Sequence, residues 1–185
     1  MSERKRVAYV IGFSAPPVLH LADFLGLLQD EGWDTYLILS PTAASWVDLD
    51  ALAETSGHPV RVEPRRPPEP DPLPLADAVI AAPMTFNSLN KWAAGISDTL
   101  ASGLLNEALG LELPVVAALC VKDPLRRHPA YSANVERLKS AGVSVLDAPD
   151  LVLRPVSGVV TFDWLRVIRT LAVCPTQANP SQPPA

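Results

Sequence analysis

The side chains best suited to chemistry in this chain stand together between Pro83 and Asn90, in the stretch PMTFNSLN. Thr85, Asn87, Ser88 and Asn90 place hydroxyls and amides where an apolar run, DAVIAAP, gives way to a helical pattern. A helix cap needs one such side chain. The others can donate to and accept from a bound molecule without adding charge. Two earlier loops are similar. GFSAPP brings Gly12 and Ser14 to a helix start, and SPTAAS brings Ser40, Thr42 and Ser45 to another. Gly12 is expected to allow a backbone conformation that other residues resist. Helix N-termini present free N–H groups and a partial positive charge, which suit a phosphate. The two loops therefore read either as one shared anion site or as two independent caps. The spaced glycines of a dinucleotide fingerprint and the Walker A pattern are both missing.

These loops must be positioned by regular elements. Apolar, strand-length runs fall at Val7–Gly12, Thr35–Ser40, Pro59–Glu63, Ala78–Ala82 and Pro114–Leu119, and a sixth opens at Val143. Helical periodicity covers Pro17–Gln29, Pro41–Glu54, Asn87–Leu105, a segment ending at Gly142, and Val160–Val173. Strands apolar throughout, alternating with helices, predict an α/β fold: a mainly parallel six-stranded sheet covered on both faces, a three-layer αβα sandwich. Ligands in such sheets collect beyond the carboxyl ends of the strands, where strand order reverses. That is where the three loops belong. Pro64–Pro74 holds six prolines and is expected to run extended over the surface. One domain over 1–173 is expected, followed by a disordered Pro-rich tail over 174–185.

Composition narrows the function. A net charge of −5 with no long basic block argues against a nucleic-acid partner. Asp, Lys or Pro interrupts every long apolar run, so no membrane span is expected. The basic N-terminus leads into a strand-length run rather than a signal peptide, and a cytoplasmic location is expected. Cys120 and Cys174 are too few for a disulfide framework or a zinc site, so no metal is expected. Cys120 reads as a buried small hydrophobe.

PMTFNSLNKWAAGISDTL resembles the Pro-Ala-Ser-Ala-Asn-Thr motif and following helix of the homo-oligomeric flavin-containing cysteine decarboxylases. Pro83, Thr85, Asn87, Ser88, Lys91, Gly95, Ile96, Asp98 and Leu100 fall in matching places without a gap. The resemblance implies a Rossmann-like fold and FMN held around Gly12, Ser14, Ser40, Pro83, Thr85, Asn87, Ser88 and Asp98. It further implies that Asn87 orients flavin or substrate, and that a C-terminal cysteine of a peptide or a related cysteinyl molecule is oxidatively decarboxylated. A homo-trimer or dodecamer is implied as well. Trp92, if exposed, and the Leu-rich stretch Leu100–Leu109 would offer apolar surface for it.

Two features depart from the family pattern. The family histidine would fall near Glu69, and no histidine lies between His58 and Pro83. Glu69 and Asp71 are the candidate replacements for a base. His20 reads as a helix-face residue and His128 as structural, while His58 could reach the ligand if its loop folded back. The Pro-x-Met-Asn-x-x-Met-Trp segment is replaced by LCVKDPLR, which puts Lys122 where an amide would meet the substrate carboxylate. An FMN-binding redox or regulatory protein that does not decarboxylate is the alternative implied by these departures.

Overall fold

A computed structural model describes residues 4–147, 151–156 and 158–174. Five parallel strands form the central sheet: β1 (Arg6–Gly12), β2 (Trp33–Leu39), β3 (Ala78–Met84), β4 (Val115–Leu119) and β5 (Ser144–Leu146). Their order is β2-β1-β3-β4-β5. The chain therefore steps outward from β1 to β2, then crosses back over to β3, and the reversal point lies between β1 and β3. Side-chain alternation divides each strand between two cores. Ala8, Val10, Leu37, Leu39 and Ile80 face α1 (Leu21–Asp30), α3 (Leu49–Ser56) and α8 (Trp164–Val173). Tyr9, Ile11, Ile38, Val79 and Ala81 face α4 (Phe86–Ala93), α5 (Leu100–Gly110) and α7 (Pro129–Ser140). Two short helices, α2 (Pro41–Ala44) and α6 (Asp123–Arg126), follow β2 and β4. A small antiparallel hairpin pairs β6 (Val152–Leu153) with β7 (Thr161–Phe162). Among the described residues no helix is long and apolar enough to cross a membrane.

The three-layer α/β architecture agrees with the pattern read from sequence, but the sheet has five strands rather than six. Pro59–Glu63 forms only one bridge, at Arg61: its N–H donates to the Leu37 carbonyl and its carbonyl accepts from the Leu39 N–H, both at 2.9 Å. Pro59 and Pro64 bracket the segment and lack the donors a longer ladder needs. The long helix over Asn87–Leu105 is two helices. Gly95 takes φ +73°, and Thr99 caps a new helix in a reciprocal box with Ser102. The helix over Pro41–Glu54 is likewise broken, because Asp48 accepts from the Asp50 and Ala51 N–H groups, both at 3.1 Å, and starts α3. The last helix begins at Trp164 and not Val160, since Thr161–Phe162 is used as β7. The expected tail beyond Cys174 lies outside the described residues.

Candidate active site

The ends of four strands are tied side by side by backbone hydrogen bonds. The Ser40 N–H donates to the Gly12 carbonyl at 3.0 Å, the Phe13 N–H to Pro83 at 2.9 Å and the Cys120 N–H to Met84 at 2.9 Å. The loops after β2, β1, β3 and β4 are thereby fixed relative to one another. They open into a cavity of about 650 Å³, well within the range of small-molecule sites. Ser14, Ser40, Thr42, Thr85, Asn87 and Ser88 line it on the β1, β2 and β3 side. Phe13, Phe86, Trp92 and Leu105 supply apolar wall.

The hydroxyls of Thr85, Ser88 and Ser40 have local anchors. Thr85 is the N-cap of α4: its Oγ1 accepts from the Ser88 N–H at 3.1 Å and lies 3.0 Å from the Ser88 hydroxyl. Ser40 caps α2, accepting from the Ala43 N–H at 3.3 Å. Asn87 is the second residue of α4 and is exposed to the cavity. Phe86, beside it, stacks at 6.4 Å on Tyr131 and meets His128 edge-on at 5.6 Å, which holds the start of α4 against α7. Asn90 faces α7 and accepts from the Asn134 amide at 2.8 Å. Thr85→Ala should therefore lower stability by about 1 kcal/mol through loss of the cap, as measured by urea unfolding of the ligand-free protein. A change indistinguishable from zero would show that the cap is dispensable.

Asp98, in the turn between α4 and α5, also lines the cavity. Its carboxylate binds Lys91 and accepts from the Ser102 hydroxyl at 3.2 Å. The Lys91 hydrogen bond, foremost, holds the Asp98 carboxyl below its ordinary value. A group whose folded pKa is depressed contributes stability above its unfolded pKa, and loses it as pH falls through the folded value. Asp98→Asn should thus lower stability at neutral pH and flatten the acid limb below about pH 4, so that the two proteins converge in acid, as read by thermal unfolding against pH. An unchanged acid limb would remove Asp98 from that account.

Several sequence expectations are placed differently. Gly12 lies beneath the cavity, outside its lining, and has no positive φ. Its requirement is space, because a Cβ there would stand 2.7 Å from Leu39 Cδ2 and 3.3 Å from Leu21 Cδ1. Pro83 also stays out of the lining and acts through its carbonyl. Ser45 turns back to donate to the Thr42 carbonyl at 2.8 Å. Trp92 is 2 % exposed, so it is core and not surface for a partner. Glu69 is not brought to the cavity: its carboxylate accepts from the Arg66 N–H at 3.1 Å inside the proline-dense segment. Asp71 accepts from the Leu73 N–H at 3.1 Å in the same segment. His58 stacks on Tyr36 at 3.9 Å and pairs with Asp34 at 2.7 Å, and His128 caps α7 through the Ala130 N–H at 3.1 Å. None of the three histidines lines the cavity.

Lys122 does line it, on the β4 side, together with Cys120, Val121 and Leu125. Burial raises the Cys120 thiol above its ordinary value, against opposing pulls from Arg154 and Arg126. Cys120 is therefore a neutral thiol at pH 7. The sequence reading missed Arg154, Val152 and Val160, which complete this end of the cavity from the β6–β7 hairpin. Nothing in the local sequence marks Arg154, which precedes a proline in an otherwise ordinary loop.

A polar-lipped, apolar-walled cavity at the switch point of a parallel sheet suits an aromatic mononucleotide. The family model for flavoproteins matches residues 16–176, which is most of the chain. The chain belongs to the Flavoprotein family. Curated relatives of this flavoprotein include the coenzyme A biosynthesis bifunctional protein CoaBC of Thermococcus kodakarensis, 26% identical over 78% of the chain and 38% of that protein. A cysteine/cysteine sulfinic acid decarboxylase from an unknown prokaryotic organism is 36% identical over 39% of the chain and 19% of that protein. The chain thus spans well under half the length of either relative. Among solved structures, the FMN-dependent cysteine decarboxylase SpaF superposes with a TM-score of 0.71 at 17% identity, covering 91% of this chain and 96% of SpaF. At that identity the superposition shows a shared fold.

Proposed function

We propose that this flavoprotein binds FMN in the switch-point cavity and oxidatively decarboxylates a C-terminal cysteine, of a peptide or of a related cysteinyl molecule. The observation that carries the reading is that Thr85, Asn87 and Ser88 line one cavity together with Ser14, Ser40 and Thr42, in a chain matched to the family over residues 16–176. The donor set fits the cofactor. Hydroxyls and helix-start N–H groups match a phosphate, and Phe13, Phe86 and Trp92 match an aromatic ring system. The Asn87 amide can donate to or accept from the polar edge of a ring.

FMN, when bound, supplies a two-electron acceptor. The thiol-bearing carbon of the substrate loses two electrons and two protons to become a thioaldehyde. The bond from Cα to the carboxylate then breaks, carbon dioxide leaves, and its electron pair moves toward the thiocarbonyl. A proton on sulfur completes an enethiol. The chain's residues hold and orient: Asn87 fixes the reacting partners, the apolar wall excludes water, and Lys122 attracts the departing carboxylate as a point charge. Glu69 is given no proton-transfer step. Activity is expected in a homo-oligomer, trimer or dodecamer, in the cytoplasm, with no nucleic-acid or membrane partner.

The test is the absorption spectrum of purified protein, then anaerobic incubation with a cysteine-ended peptide. Bleaching together with loss of carbon dioxide and two hydrogens from the peptide is expected. A colourless protein that takes up no FMN would refute the reading. One observation favours a second reading, an FMN-binding redox or regulatory protein. Among the described residues the only carboxylate lining the cavity is Asp98, which is held by Lys91, and no histidine joins it. A yellow protein that never bleaches with thiol peptides would decide for that alternative.

A further inference from the structure

The cavity has two chemically distinct ends. Toward β1, β2 and β3 its polar groups are neutral hydroxyls and the Asn87 amide. Toward β4 and the hairpin they are cations, Lys122 and Arg154. Lys91, the third cation in the lining, is already neutralised by Asp98. Among the described residues no carboxylate pairs with Lys122 or Arg154. Arg126, which also follows β4, is by contrast committed to Asp147 and to the Tyr131 hydroxyl at 3.0 Å.

Arg154 does not hang on a free strand. Leu151 and Phe162 are buried at the root of the hairpin, and Phe162 meets Trp164 edge-on at 5.1 Å. The Asp163 N–H donates to the Leu151 carbonyl at 2.9 Å. Val152 and Val160 then form apolar wall on either side of the turn. The hairpin therefore carries a guanidinium to the cavity mouth within electrostatic reach of the Cys120 thiol.

Resting on the decarboxylase reading above, we propose that Arg154 is a specificity-determining residue, which with Lys122 forms a two-cation clamp for the substrate carboxylate. A guanidinium presents paired donors that match the two oxygens of a carboxylate, and an ammonium adds a point charge. The clamp discriminates by charge. A peptide ending in a free acid is bound, and the same peptide ending in an amide is not. It also separates substrate from product, because loss of carbon dioxide removes the negative charge that the two cations attract.

The test uses FMN-loaded full-length protein and a non-reacting probe, a short peptide ending in serine, as the free acid and as its C-terminal amide. Calorimetry and the flavin absorbance shift read binding, and turnover of the cysteine-ended peptide is read in parallel. The free acid is expected to bind at least tenfold tighter than the amide. Arg154→Gln should weaken the acid by about 10- to 100-fold and leave the amide unchanged, with Arg154→Lys intermediate. Raising the salt should weaken only the acid. The FMN Kd should not move in Arg154→Gln. If that Kd instead rises tenfold, the cations serve the cofactor phosphate and the clamp is wrong. Equal binding of acid and amide by an active wild-type protein sinks the clamp while the decarboxylase reading stands. A yellow protein that neither bleaches nor binds either peptide sinks both.

Discussion

Replacing Asn87 with alanine is expected to reduce turnover of a cysteine-ended substrate by about 10²- to 10³-fold, the usual loss when one oriented hydrogen-bonding group is removed from a reacting centre. Asn87 is well placed for so large an effect. It is the second residue of α4, so its direction is set by a helix whose start is doubly held, by the Thr85 cap and by the packing of Phe86 on Tyr131. Its side chain is exposed to the cavity, and stability should change by no more than about 0.5 kcal/mol. The combination separates chemistry from folding. Anaerobic stopped-flow bleaching would show the loss, and thermal unfolding of the same variant would show a nearly unmoved Tm. Asn87→Asp keeps the shape but has no amide donor, and should recover little of the rate. Wild-type turnover in Asn87→Ala would remove this residue from the mechanism.

Trp92→Ala should cost about 3–5 kcal/mol, the range for deleting a buried aromatic residue from a packed core. Trp92 is among the largest fully buried side chains of the molecule and sits on α4 with Leu89, in the core shared with α5 and α7. Its indole N–H has no hydrogen-bond partner among the described residues, so its contribution is packing and not polar pairing. The same ring lines the cavity. Its loss should therefore loosen α4 and lower FMN affinity together, whereas Trp92→Phe should restore most of the stability. Urea unfolding with and without FMN would measure both effects. A cost below about 1 kcal/mol would mean that the core can close around the gap.

Much of the architecture could be read along the chain because the signals are local. Buried parallel strands such as Arg6–Gly12 and Ala78–Met84 are apolar throughout, and the Thr85–Ser88 cap depends on residues three apart. The errors fell where a local signal competed with another of the same kind. Gly95, Asp48 and Thr99 each interrupt an apolar periodicity that continues past them, and capping prevailed. At Pro59–Glu63 strand propensity lost to the missing donors of the flanking prolines.

By itself the sequence determined the αβα class, the three loops at the strand ends and the family to which the chain belongs. Short-range hydrogen bonding and side-chain periodicity are carried by neighbouring residues, and a helix motif is read in order. Only the tertiary structure decided that Gly12 is needed for room beside Leu39, that Glu69 stays with Arg66, and that Arg154 shares a cavity with Lys122. Those facts depend on strand order and on the way a hairpin folds back over the sheet, which place residues together that are far apart in the chain.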